Sequence, residues 1–216
     1  MATSKEEICN LALAKIGGGL EGGGGFFIDD ITGTSQTEKL CNLLYDPTRK
    51  AVLRRAKWTC AVKYAECTTE NTTVEKGAWS YAYDLPSDYL GRCRVLHQDL
   101  HQSTKSRNSV EYDHQVVQGA VLSNVLTNSD GDGIFIEYIF DLETVTDFDE
   151  AFEEAFVLKF AGEMAPALLA DKNETRWRLQ REYEDLVLPL VLGENADAIG
   201  DNEDEGEFTT ITCRQA

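Results

Sequence analysis

The sequence predicts an α+β protein: a helical bundle built from N- and C-terminal helices, with an antiparallel β-rich subdomain inserted between them. Three observations predict it. Two Ser-x-x-Glu capping boxes open helix-periodic runs near the N-terminus. From about Thr68 the helical period gives way to β-branched and aromatic residues alternating between turn signals. From Phe148 a phenylalanine returns every fourth position. The expected division is 1–66 for the N-terminal helices of the bundle, 67–145 for the inserted β-rich subdomain, 146–192 for the C-terminal helices and 193–216 for an acidic tail.

The first helix starts at Ser4-Lys5-Glu6-Glu7, where serine oxygen and glutamate carboxylate satisfy open N–H groups. Ile8, Leu11, Ala12 and Ile16 follow at helical spacing, and Gly17 supplies a left-handed stop. Gly18, Gly19 and Gly22 to Gly25 then form a loop. A Walker-type phosphate loop is excluded there, because its lysine and its preceding strand are both missing.

A second box, Ser35-Gln36-Thr37-Glu38, opens a helix whose apolar face runs Cys41, Leu44, Tyr45, Thr48, Val52, Ala56. Pro47 removes one backbone bond, and Asp46 can cap a restarted helix, so a kink is expected near Asp46. The same run gathers Arg49, Lys50, Arg54, Arg55, Lys57 and Lys63 with no acid between Pro47 and Ala65. Such a run suits nucleic acid, a carboxylate partner, or the wet face of a helix. The wheel places Arg49, Lys50, Arg54 and Lys57 mostly off the apolar face, which is the solvated reading.

In the β-rich part, Trp79 to Tyr83 alternates large and small residues, and Leu85-Pro86-Ser87-Asp88 reads as a turn. Arg92 to Leu96, Val110 to Tyr112, Gln115 to Leu122 and Ile134 to Phe140 are further expected strands. Asp147 to Glu150 then begins a helix with Phe148, Phe152, Phe156, Phe160 and Met164 on one face. A last helix, from about Asn173 to Val191, carries Trp177, Tyr183, Leu186, Val187 and Leu190. Gly193 to Glu207 holds seven acids and no base, before Phe208-Thr209-Thr210-Ile211-Thr212.

With 216 residues, the chain suits one domain and needs no disulfide or metal staple. Its opening MATSKEEIC has no apolar run long enough for a signal peptide or membrane span, so an intracellular, soluble protein with reduced cysteines is expected. The six cysteines contain no C-x-x-C pair. A net charge of −18 repels a phosphate backbone, which argues against groove-reading DNA binding.

Candidate chemistry is sparse. Asn128-Ser129-Asp130-Gly131-Asp132-Gly133 begins like a calcium loop, but its twelfth position is Ile139 where a bidentate glutamate is needed, so a hairpin turn is expected. Cys93, His97 and His101 lie four apart; across one straight helix the outer two stand about 12 Å apart and cannot share a zinc ion. No G-x-S-x-G or H-E-x-x-H occurs. No catalytic residue, cofactor or metal ligand is assigned, and a carboxylate pair of glycosidase type remains the enzymatic alternative.

The order of motifs adds a resemblance. ICNLALAKIG (Ile8 to Gly17), IDDIT (Ile28 to Thr32), CNLLYDPTRKAVLRRAKWTCAVKYA (Cys41 to Ala65) and WSYAYDLPSDYL (Trp79 to Leu90) are followed by GAVLSNVL (Gly119 to Leu126), IFIEYIF (Ile134 to Phe140) and FDEAFEEAFVLKFAGEMAPAL (Phe148 to Leu168). Together they resemble the head-to-tail adaptor family of short-tailed phages, also called tail tubular protein A, over the chain up to about Leu192. The long glycine run and the acidic tail depart from that pattern.

The resemblance implies a non-enzymatic virion protein at the head–tail interface, assembled in the host cytoplasm with no membrane contact. It implies a ring of twelve copies under the portal, a platform for the tail tube or nozzle, and double-stranded genomic DNA sliding through the lumen without specific binding. Ring contacts are heterologous, so one patch must complement another. On this reading Arg49, Arg54, Arg55 and Lys57 contact a neighbouring subunit or the portal, with acidic surface such as Asp141 to Glu154 as complement, and Trp58 anchors the helix in the core. Phe208, Ile211 and Arg214 in the tail are the expected portal-binding residues. The alternatives are a virion-associated glycoside hydrolase acting on cell wall and a basic-patch DNA binder.

Overall fold

The computed structural model describes residues 2–17, 27–98, 111–169, 174–187 and 189. The glycine run Gly22 to Gly25, His101, Val110, Leu190 and the acidic tail with Phe208, Ile211 and Arg214 lie outside these residues. Within them the chain is an α+β fold, with a helical layer at one end and two small antiparallel sheets.

Helix α1 (Lys5–Ile16) is capped by Ser4, whose hydroxyl accepts from the Glu7 N–H at 3.3 Å. The Glu7 carboxylate reaches one residue further back than a capping box requires, to the N–H and hydroxyl of Thr3. Gly17 closes the helix at φ +96°, a conformation that suits glycine because it has no Cβ. Leu13 is buried and Leu11 is not, so the apolar face is rotated from the expected one.

Helix α2 (Gln36–Arg55) carries the full Ser35–Glu38 capping box and runs as one helix through Pro47. Cys41, Tyr45, Thr48 and Val52 are buried as the wheel predicts, with Ala56 just beyond the helix. Trp58 is fully buried, and its indole N–H donates to the Val52 carbonyl at 2.8 Å, anchoring the end of α2 in the core.

The sheets begin earlier than expected. All of strand β1 (Val62–Cys67) but its last residue lies in the segment assigned to helices, because Trp58 and a short 3-10 turn at Thr59–Ala61 redirect the chain into extended structure. It pairs with β6 (Ile134–Phe140), which also pairs with β3 (Tyr89–Leu96), giving the order β1-β6-β3. The second sheet has the order β2-β5-β4, from Tyr81–Asp84, Ala120–Ser123 and His114–Val117.

Two sequence readings change here. The expected single strand Gln115 to Leu122 is a hairpin, turned at Gln118 and Gly119, both with positive φ as a two-residue hairpin loop demands. Asn128 to Gly133 is no hairpin turn, since β5 and β6 belong to different sheets; it is the crossing between them. Asn128 Oδ1 accepts from the N–H groups of Asp132 and Gly133, which folds the loop on itself.

Alternation along β6 explains the layering. Ile134, Ile136 and Tyr138 pack with Tyr83 and Val121 of the second sheet, whereas Ile139 joins the helical core. Helix α3 (Glu150–Leu168), capped by Asp149, is the centre of that core and touches α1, α2 and α4 (Glu174–Arg181). Its stripe Phe152, Phe156, Phe160 and Met164 is buried, and Tyr45 meets Phe156 and Phe160 edge-on at 5.2 and 5.9 Å. Helix α4 continues as a π-helical turn over Glu182–Val187. Leu179 and Tyr183 face the core, while Trp177 stands 66% exposed.

These burials set a contrast measurable by urea denaturation. Phe156→Ala is expected to cost about 3–5 kcal/mol, as for a large ring removed from a packed core. Trp177→Ala is expected to stay within about 0.5 kcal/mol of the parent chain.

Candidate functional site

The basic run is only in part a wet helix face: Arg54 and Arg55 are exposed, but Arg49 is not. Arg49 is 1% exposed: one Nη donates to Asp141 Oδ1 at 2.6 Å and to the Leu142 carbonyl at 2.5 Å, and Asp46 lies at 3.4 Å on its own helix. Lys50 Nζ takes the other Asp141 oxygen at 2.8 Å. Arg49, expected to meet a neighbouring subunit, is thus buried and engaged within its own chain. Its charge is spent inside the chain, where a carboxylate leaving β6 neutralises it. Burial pushes the Asp141 pKa up, but Lys50 and Arg49 outweigh that and hold it below the ordinary aspartate value.

Lys57 is likewise engaged within the chain. Its ammonium meets Glu137 Oε1 at 2.7 Å, and Glu137 is 6% exposed in the middle of β6. Strand register supplies the other donors: Tyr64 of β1 and Arg94 of β3 lie directly opposite Glu137 on either side. The Tyr64 hydroxyl donates at 2.9 Å and the Arg94 guanidinium at 3.4 Å. Burial raises the Glu137 pKa, and these partners together bring it below the usual glutamate value. Tyr64, partly desolvated and donating to that carboxylate, is pushed up to about 12.

Lys63 follows the pattern with Asp88 at 2.7 Å, an oxygen pair that also accepts from the Tyr138 hydroxyl at 2.8 Å. Arg54 and Arg55 differ. The Arg54 Nε donates to the Leu90 carbonyl at 3.1 Å, and neither side chain meets a carboxylate among the described residues. A third guanidinium joins them: Arg92 donates to the carbonyls of Arg54 and Arg55 at 3.3 and 2.7 Å, capping the end of α2. Arg92 stands at φ +48° where the β3 register shifts between Gly91 and Arg94. The bulge turns its side chain toward the helix and still brings Arg94 opposite Glu137.

Beside this triad lies a cavity of about 260 Å³ lined by Lys57, Arg92, Cys93, Arg94, Glu137 and Ile139 among others. Cys93 there is pushed up to about 12 by burial, which keeps it a thiol at neutral pH. Glu137, saturated by three donors and held ionised, suits a strut better than a proton shuttle. Among the described residues no group of three or more His, Cys, Asp or Glu side chains is placed to hold a metal ion. Cys93 lies in β3 and His97 just past its end, while His101 falls outside the described residues, as do Phe208, Ile211 and Arg214.

Arg92, Arg94 and Glu137 escaped the sequence reading, and Asp141 entered it only as acidic surface for a neighbouring copy, whereas here it pairs with Arg49 of the same chain. One signal was present for Glu137, the single charge in IFIEYIF, since a buried carboxylate needs donors close by. No family model matches this chain, and no curated protein matches it.

Because the folded pKa of Glu137 is depressed, its stabilising effect is present above the ordinary glutamate value of about 4.3 and is lost as pH falls through the lower folded value. Glu137→Gln is expected to lower stability near pH 7 by about 1–3 kcal/mol and to flatten the acid limb of the stability–pH curve. Urea melts at stepped pH measure both effects.

Proposed function

We propose that this chain is the subunit of a head-to-tail adaptor ring in a short-tailed phage virion, a structural protein without catalytic chemistry. The ordered series of sequence motifs from Ile8 to Leu168 carries this reading. The α+β architecture, a helical layer with a β-rich insert, is the one that resemblance implies.

Large apolar side chains left in water support it further. Leu43 of α2 and Trp177 of α4 are 69% and 66% exposed on helices whose other faces are packed. A cyclic ring needs two different patches that complement each other, and apolar anchors suit such contacts. The acid excess also fits a channel wall along which double-stranded DNA slides without gripping. Partners on this reading are about eleven further copies, the portal above, and the tail tube or nozzle below.

The interface set narrows. With Arg49 and Lys57 engaged inside the chain, Arg54 and Arg55 remain as the basic residues offered to a neighbour or the portal. Arg54→Glu with Arg55→Glu is expected to weaken ring formation while leaving the monomer's melting transition in place. Mass photometry of the variant, alone and mixed with its cognate portal ring, checks this. Assembly equal to that of the parent chain removes these residues from the interface. Turnover of peptidoglycan by the purified chain would replace the adaptor reading with the hydrolase one.

A further inference from the structure

Arg54, Arg55 and Arg92 form a compact cationic patch in a chain of net charge −18. Their neighbours Arg49, Lys50, Lys57, Lys63 and Arg94 all have carboxylates, yet these three have none among the described residues. All three are exposed. Arg92 is spent only on neutral carbonyls, so capping α2 explains its position and leaves its charge uncompensated.

The chain itself carries the complementary charge. Glu194, Asp197, Asp201, Glu203, Asp204, Glu205 and Glu207 sit in one segment with no base between Gly193 and Glu207. The last described turn before that segment lies in the helical core. Tyr183, in this π-helical turn, is buried there within reach of the Arg55 charge. Six residues lie between Val187 and Glu194, seven Cα steps that span up to about 25 Å. A tether this short gives an effective concentration of the millimolar order, enough for a weak ionic contact to form within one molecule.

We propose that the patch of Arg54, Arg55 and Arg92 is the docking surface for the chain's own acidic tail, Glu194 to Glu207, in cis. The contact is ionic and multivalent rather than a fixed set of pairs. Any acidic partner for Arg54 and Arg55 has to displace the tail first. The contact is a property of the isolated chain, so it stands or falls separately from ring assembly.

The test uses the full-length, isotope-labelled chain with a nitroxide on Cys213; the five described cysteines are buried or half-buried. Enhanced relaxation of the Arg54, Arg55 and Arg92 amides is expected at about 0.1 M salt, where the Debye length is about 10 Å, and is lost at about 1 M, where it is about 3 Å. The same loss is expected in Arg54→Gln with Arg55→Gln, which keeps the Arg92 cap. It is also expected when the seven tail acids are changed to their amides, which leaves every described residue unchanged. No enhancement at these amides, or enhancement indifferent to salt and to both variants, overturns the proposal. Enhancement seen only between isotope-labelled and nitroxide-labelled copies in a mixed sample overturns it too, since the tail then docks on a second chain.

Discussion

A guanidinium buried in the middle of α2 joins the two halves of this molecule. Arg49 projects from the helical layer onto Asp141 and the Leu142 carbonyl, where the chain leaves the central strand β6 for α3. A buried ion pair is a poor source of net stability, because desolvating two charges offsets most of their attraction. Breaking one is costly all the same, since the survivor is left in the interior without a partner. The pair therefore specifies where α2 must lie against the strand, and apolar packing along α3 supplies the driving force.

The rest of the junction repeats that solution. Lys57 descends from the end of α2 onto Glu137, and the register of β1 and β3 places Tyr64 and Arg94 beside the same carboxylate. Two register shifts in β3 and a positive φ at Arg92 accompany the arrangement, an irregular strand that holds one arginine on the helix end and another on the sheet. Arg54 and Arg55 then stand at the edge of a junction whose other cations are neutralised.

Much of this was legible in the residues, and the exceptions have physical reasons. Ser35 with Glu38, the Phe152 to Met164 stripe, and Gly17 are local signals, and local signals survive folding. β1 was hidden because VKYAEC follows a helix without a glycine or proline break, and the turn that ends α2 is made by burying Trp58. Arg49 was misplaced because a helical wheel records only the helix's own periodicity. Whether a charge faces water or a carboxylate depends on Asp141, 92 positions away, which no window contains. The crossing at Asn128 to Gly133 was misread for a similar reason: turn residues announce a turn without saying which sheet the next strand joins.

The account rests on the basic run acting as an internal clamp, and a double-mutant cycle on Arg49→Ala and Asp141→Ala tests that claim most directly. Measured by urea denaturation at neutral pH, the two changes are expected to show a coupling of about 1–3 kcal/mol, as contacting charges in one network do. Single changes that each cost under about 0.5 kcal/mol with no coupling would contradict it, and would return Arg49 to the solvated face of α2.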